Sequence, residues 1–132
     1  MNRLITTLCF VAISSPAIAE SRKNRLHTEM SQLVIAATQY KTEYGGFPTG
    51  KSIEVIRALS GANPRKIIFI DWAGRSSDAN GRFLDQWGSP FLILFPDAET
   101  VEIRSAGPDK TFDTSDDKHY RKGRYGIDHN AQ

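Results

Sequence analysis

Cysteine is nearly missing from this 132-residue chain, which has only Cys9. A single cysteine cannot form a disulfide within the chain, and no cysteine-rich zinc site can be built. Histidine is scarce too. His27, His119 and His129 show no metal-ligand spacing, so zinc is disfavoured. No serine sits in a GxSxG elbow, and no glycine-rich phosphate loop is present. The chain has no glycine before Gly45. It also lacks an excess of either charge: 17 Lys and Arg stand against 15 Asp and Glu. Such a balance gives no argument for nucleic acid or an anionic membrane surface as a partner.

Long apolar runs are absent as well. Leu4 to Ile13, LITTLCFVAI, is broken by Ser14, Ser15 and Pro16. It falls short of the roughly 20 residues that a spanning helix needs. Arg3 precedes it, and Ala17 and Ala19 supply the small-x-small pattern that signal peptidase accepts. Residues 1–19 therefore read as a secretory signal peptide, cleaved between Ala19 and Glu20. No stable membrane span is expected afterwards. The residues before Cys9 do not favour lipid attachment. Removing Arg3 with the signal leaves 16 basic against 15 acidic residues. The mature chain is expected to be periplasmic or extracellular and to carry no thiol.

From Leu26 onward the apolar residues recur at helical spacing. Leu26, Met30, Leu33, Ala37, Tyr40 and Tyr44 form a stripe that Val34 widens. Gly45 and Gly46 end it. A sheet is the expected cover for this stripe, with both tyrosines packed in the core and their hydroxyls at its rim. After the Phe47–Gly50 turn, Ser52 is positioned to cap a short helix, Ile53 to Leu59, with Ile53, Ile56 and Leu59 inward. The β-branched run Lys66 to Ile70, KIIFI, reads as a strand. Gly74 to Gly81 reads as a surface loop. In the stretch Leu84 to Pro90, Gly88 and Pro90 fix a bend, Trp87 anchors it, and Asp85 can accept backbone N–H bonds within it. Phe91–Phe95 and Val101–Arg104 read as strands joined by a hairpin loop, the second with Glu102 and Arg104 on a wet face. Residues 118–132 are basic and read as a flexible, solvated tail, with a docking role as the alternative.

The densest chemistry lies between Ser105 and Lys118. Asp109, Asp113, Asp116 and Asp117 supply carboxylates, Thr111, Thr114 and Ser115 supply hydroxyls, and Gly107-Pro108 makes a turn. Calcium takes six to eight such oxygens. The spacing is not that of an EF-hand, because Thr114 and Tyr120 fall where that loop needs Gly and Glu. Two readings stay open here. A bound cation would relieve the mutual repulsion of the carboxylates and order the loop. Alternatively, the aspartates serve turn chemistry alone. No acid/base pair facing a cleft is visible, so an enzyme is not expected.

Taken together, these residues resemble a known family. Tyr-x-x-x-Tyr-Gly-Gly-Phe-Pro-Thr after a long helix, then Asp85-x-Trp87-Gly88-x-Pro90-Phe91, then Ser105-Ala106-Gly107-Pro108-Asp109 with Thr114-x-Asp116-Asp117, are similar to the globular part of the G-type major pseudopilin of type II secretion systems. The similarity runs from about Leu26 to Asp117. It implies a helix packed on a small antiparallel sheet and a Ca²⁺ ion in the C-terminal loop. The implied ligands are the side chains of Asp109, Asp116 and Asp117 and main-chain oxygens near Ala106 and Thr114. Two departures stand out. A signal peptide occupies the place of the family's short leader and apolar helix half, and Gln86 replaces the usual proline.

The expected fold is α+β: a long N-terminal helix on a three- or four-stranded antiparallel sheet, spanning residues 20–117, with a short second helix. The expected function is that of an exported, non-enzymatic pseudopilin-like protein. It would be a structural or accessory part of a type II secretion or pilus-like system, with protein partners from that machinery. The alternative is a free-standing, calcium-stabilised binding module unrelated to secretion.

Overall fold

The computed structural model describes residues 16–130. Residues 1–15, and with them most of the expected signal peptide, lie outside the described residues. Ala17 and Ala19 fall within the first helix.

That helix, α1 (Pro16–Tyr44), is 29 residues long. It buries Leu26, Met30, Leu33, Val34, Ala36 and Ala37. The apolar stripe therefore has the helical period that its spacing predicts. Tyr40 and Tyr44 pack on the edge of the core beside Phe69, and the Tyr44 hydroxyl donates to Asn63 Oδ1 at 2.6 Å. Gly45 stops the helix at φ +83°, with its N–H bonded to the Lys41 carbonyl at 2.8 Å.

The second helix, α2 (Ser52–Leu59), buries Val55, Ile56 and Leu59. Ser52 is the first helical residue rather than the cap, and Lys51 takes the cap position. The Ser52 hydroxyl accepts the Ile93 N–H at 3.0 Å, which ties α2 to the sheet.

KIIFI is not a strand. The Phe69 and Ile70 N–H groups reach the Leu59 carbonyl at the end of α2, at 2.8 and 3.2 Å. The Asn63 side chain occupies the backbone of Ile67 on both sides, accepting its N–H and donating to its carbonyl. With these groups committed, no sheet ladder can form there. Trp72 and Phe83 then stack at 4.2 Å between centroids, 5° from parallel, and close the core over this connection.

The sheet has four antiparallel strands in sequence order: β1 (Leu92–Asp97), β2 (Thr100–Ser105), β3 (Lys118–Gly123) and β4 (Gly126–His129). α1 packs on its central strands. Val101, Ile103 and Tyr120 are buried. The expected wet face of β2 is only partly wet. Glu102 is 8% exposed, lies across from Leu94 and Arg121, and accepts Arg104 Nε at 2.9 Å.

Residues 118–129 correct the reading of a flexible tail, since they form β3 and β4. Tyr120 pairs with Ile103 on β2 and stacks on His129, so its ring is held on the α1 side of the sheet. Burying that ring is the gain that orders a stretch of otherwise polar residues.

Candidate metal centre

The acidic loop is the connection from β2 to β3. Ser105 pairs with Lys118, so the loop is closed at its base. Gly107 makes this closure possible. Its φ is +75°, and a Cβ there would lie 2.3 Å from the Asp116 carbonyl oxygen. Only glycine allows so close an approach of two backbone segments.

Within the loop the carboxylates organise the backbone. Asp116 Oδ2 accepts the Asp109 N–H at 2.9 Å. Asp117 Oδ2 accepts the Asp113 N–H at 2.7 Å, and Asp117 Oδ1 lies 3.4 Å from the Thr114 nitrogen. Asp109 Oδ1 accepts the Thr111 N–H at 2.9 Å. The Thr114 hydroxyl, with one proton to give, lies among the Thr111 carbonyl and the Asp109 and Asp117 carboxylates. That hydroxyl, and then the Thr111 N–H, hold the Asp109 carboxyl below its ordinary pKa. Lys110 and Asp113 take left-handed backbone, at φ 59° and 66°.

The structure thus brings Asp109, Asp116 and Asp117 into one closed loop, with Ala106 buried at its neck and Thr114 between the carboxylates. Among the described residues, no three His, Cys, Asp or Glu side chains gather as a metal-holding group. The donor chemistry still fits a hard cation. Carboxylates and main-chain oxygens are abundant, and among the described residues the only basic side chain paired with a loop carboxylate is Arg104, 3.9 Å from Asp113. Asp113 is also the carboxylate outside the ligand set that the resemblance implies.

Asp85 lies beneath the loop and is 1% exposed. Its Oδ1 accepts the N–H groups of Trp87 and Ser89, both at 3.0 Å. Its Oδ2 accepts the Ser105 hydroxyl at 2.7 Å, and Ser105 Oγ in turn lies 3.3 Å from the Gly107 nitrogen. Gly88 turns the bend at φ +84°, and Pro90 bridges to Leu84. The Asp-x-Trp-Gly-x-Pro bend is therefore wired to the neck of the acidic loop through one serine. Sequence reasoning missed Ser105 and also Asn130. The Asn130 side chain donates to the Asp117 carbonyl at 3.0 Å and accepts the His119 N–H at 2.6 Å, closing the loop from the β4 side. The only signal for Asn130 was its position five residues past a two-residue turn, Arg124-Tyr125, flanked by Gly123 and Gly126.

The family model for type II secretion system (T2SS) protein G matches residues 15–120. Among solved structures, the fold is similar to the major pseudopilin from the type 2 secretion system of enterohaemorrhagic Escherichia coli. That match has a TM-score of 0.51 and 21% identity, and it covers 76% of this chain and 87% of the other. No curated protein sequence matches this one. A family match over most of the chain, joined to a helix on a four-stranded antiparallel sheet, shows that the chain belongs to the type II secretion system protein G family and is a structural component of that system.

Proposed function

We propose that this chain works as an exported, non-enzymatic pseudopilin-type subunit, assembling with other proteins of a type II secretion or pilus-like apparatus. The family match over residues 15–120 carries this reading. The alternative of a free-standing binding module is not favoured by that match. Export is supported by residues 1–19 read as a signal. Among the described residues, no helix is long and apolar enough to cross a membrane.

In this role the β2–β3 loop takes Ca²⁺ through the side chains of Asp109, Asp116 and Asp117 and main-chain oxygens near Ala106 and Thr114. The ion supplies positive charge that relieves carboxylate repulsion. The chain's own residues set the loop in place. Gly107 lets the neck close, Asp85 and Ser105 fix the neck to the core, and Asn130 fixes the far side.

Fractionation with N-terminal sequencing tests the export step. The expected result is a protein beginning at Glu20, outside the cytoplasm and released without detergent. A membrane-held protein that keeps residues 1–19 would contradict it.

A further inference from the structure

The two edges of the sheet are treated differently. β1 is guarded: Ser52 takes the Ile93 N–H, Pro96 has no N–H to offer, and the pairing to β2 is irregular between Leu94 and Asp97. β4 has no proline, no lysine and no irregularity in its pairing to β3. Among the described residues no strand lies along its outer side. Asn130 donates its N–H to the His119 carbonyl at 3.1 Å, so alternation makes Asp128 and Gly126 the next residues bonded to β3. Ile127 and His129 then turn their N–H and C=O groups outward. The side chains along this edge are also open: Ile127 is 56% exposed, and Tyr125 at the hairpin tip is 96% exposed.

We infer that the β4 edge docks the β4 edge of a second copy of this chain, antiparallel, in a two-fold pairing centred on Ile127. Two registers bring the outward backbone groups of both strands together. The one centred on Asp128 sets two aspartates directly opposite each other, which is unfavourable. The one centred on Ile127 sets Ile127 against its own copy and Tyr125 against the second copy's His129. It also brings Arg124 diagonally across from the second copy's Asp128, within reach of an arginine. Charge and apolar character both select this register. The strand is only four residues long, so the contact falls below the roughly 1,200 Å² of a stable free interface. It forms where copies are held close together, as in an assembly. The inference goes beyond membership in the secretion machinery and is independent of calcium in the β2–β3 loop.

Oxidative cross-linking of the full chain, carrying Cys9→Ser, in cells that assemble their type II secretion machinery and so hold copies close together, tests the pairing. Across a hydrogen-bonded pair the Cα atoms lie about 5.5 Å apart, within disulfide range. Ile127→Cys is expected to give disulfide-linked dimer about tenfold faster than Ile68→Cys, because pairing raises the effective concentration of the thiols. Ile68 is 66% exposed and lies off the sheet, so it reports random collision. Adding Arg124→Glu to Ile127→Cys should slow the reaction several-fold, and Asp128→Arg on top should restore it. Equal rates for Ile127→Cys and Ile68→Cys would overturn the pairing. A fast rate that ignores Arg124→Glu would overturn the register.

Discussion

Asp85 is the residue on which two parts of the molecule depend. It is a buried carboxylate with three donors: two backbone N–H groups of its own bend and the hydroxyl of Ser105 at the loop neck. Removing the acceptor leaves those donors without it, two of them buried, and each buried loss costs about 1–3 kcal/mol. Asp85→Ala is therefore expected to destabilise the fold by about 3 kcal/mol in denaturant unfolding. Asp85→Asn should cost less, because one oxygen still serves the bend while the amide nitrogen cannot accept from Ser105. An Asp85→Asn variant as stable as the unaltered protein would remove the link to Ser105 from the account, and equal losses for both variants would remove the bend bonds. The acceptor role of Asp85 is legible in sequence, because Asp before a Trp-Gly-x-Pro bend has backbone N–H groups within reach. Its bond to Ser105 is not, since twenty residues separate them and nothing local signals the contact.

At the scale of elements, α1 follows from periodicity, because it buries one stripe at the helical period. The β1–β2 hairpin follows from its two apolar, β-branched runs around a turn, although β2 is buried on both faces. KIIFI misleads for a physical reason. Its β-branched residues favour extended backbone, but Asn63 and the end of α2 claim its hydrogen-bonding groups first. The β3–β4 hairpin is hidden by its lysines and arginines, since one buried tyrosine and one stacked histidine are all that mark its inner face. With β3 in place, the acidic loop is a connection between two paired strands rather than an end of the chain. Ordering it therefore stabilises the sheet directly. Calcium about a hundredfold above its Kd would add about 2.7 kcal/mol, or roughly 10 °C in Tm for a domain of this size. Chelation is expected to remove that gain, and Asp117→Ala is expected to abolish the difference between the calcium and chelator curves. Superimposable melting curves for the unaltered protein would count against the ion.

At the scale of the whole molecule, the described residues form a head: one long helix, a sheet across its inner face, and a loop fixed at three points by Asp85, Gly107 and Asn130. The acid loop and the Trp-Gly bend carried the family resemblance in sequence, and the structure gives the reason they belong together. Both are ends of one hydrogen-bonded chain through Ser105. What such a head does is decided by what it assembles with. The most direct measurement is co-purification of a tagged full-length chain, after mild cross-linking, from cells expressing their type II secretion machinery. Recovery of that system's pseudopilin components with the tagged chain is the expected result. Recovery of the folded chain alone, from cells in which those components are present and assembled, would contradict a structural role in secretion.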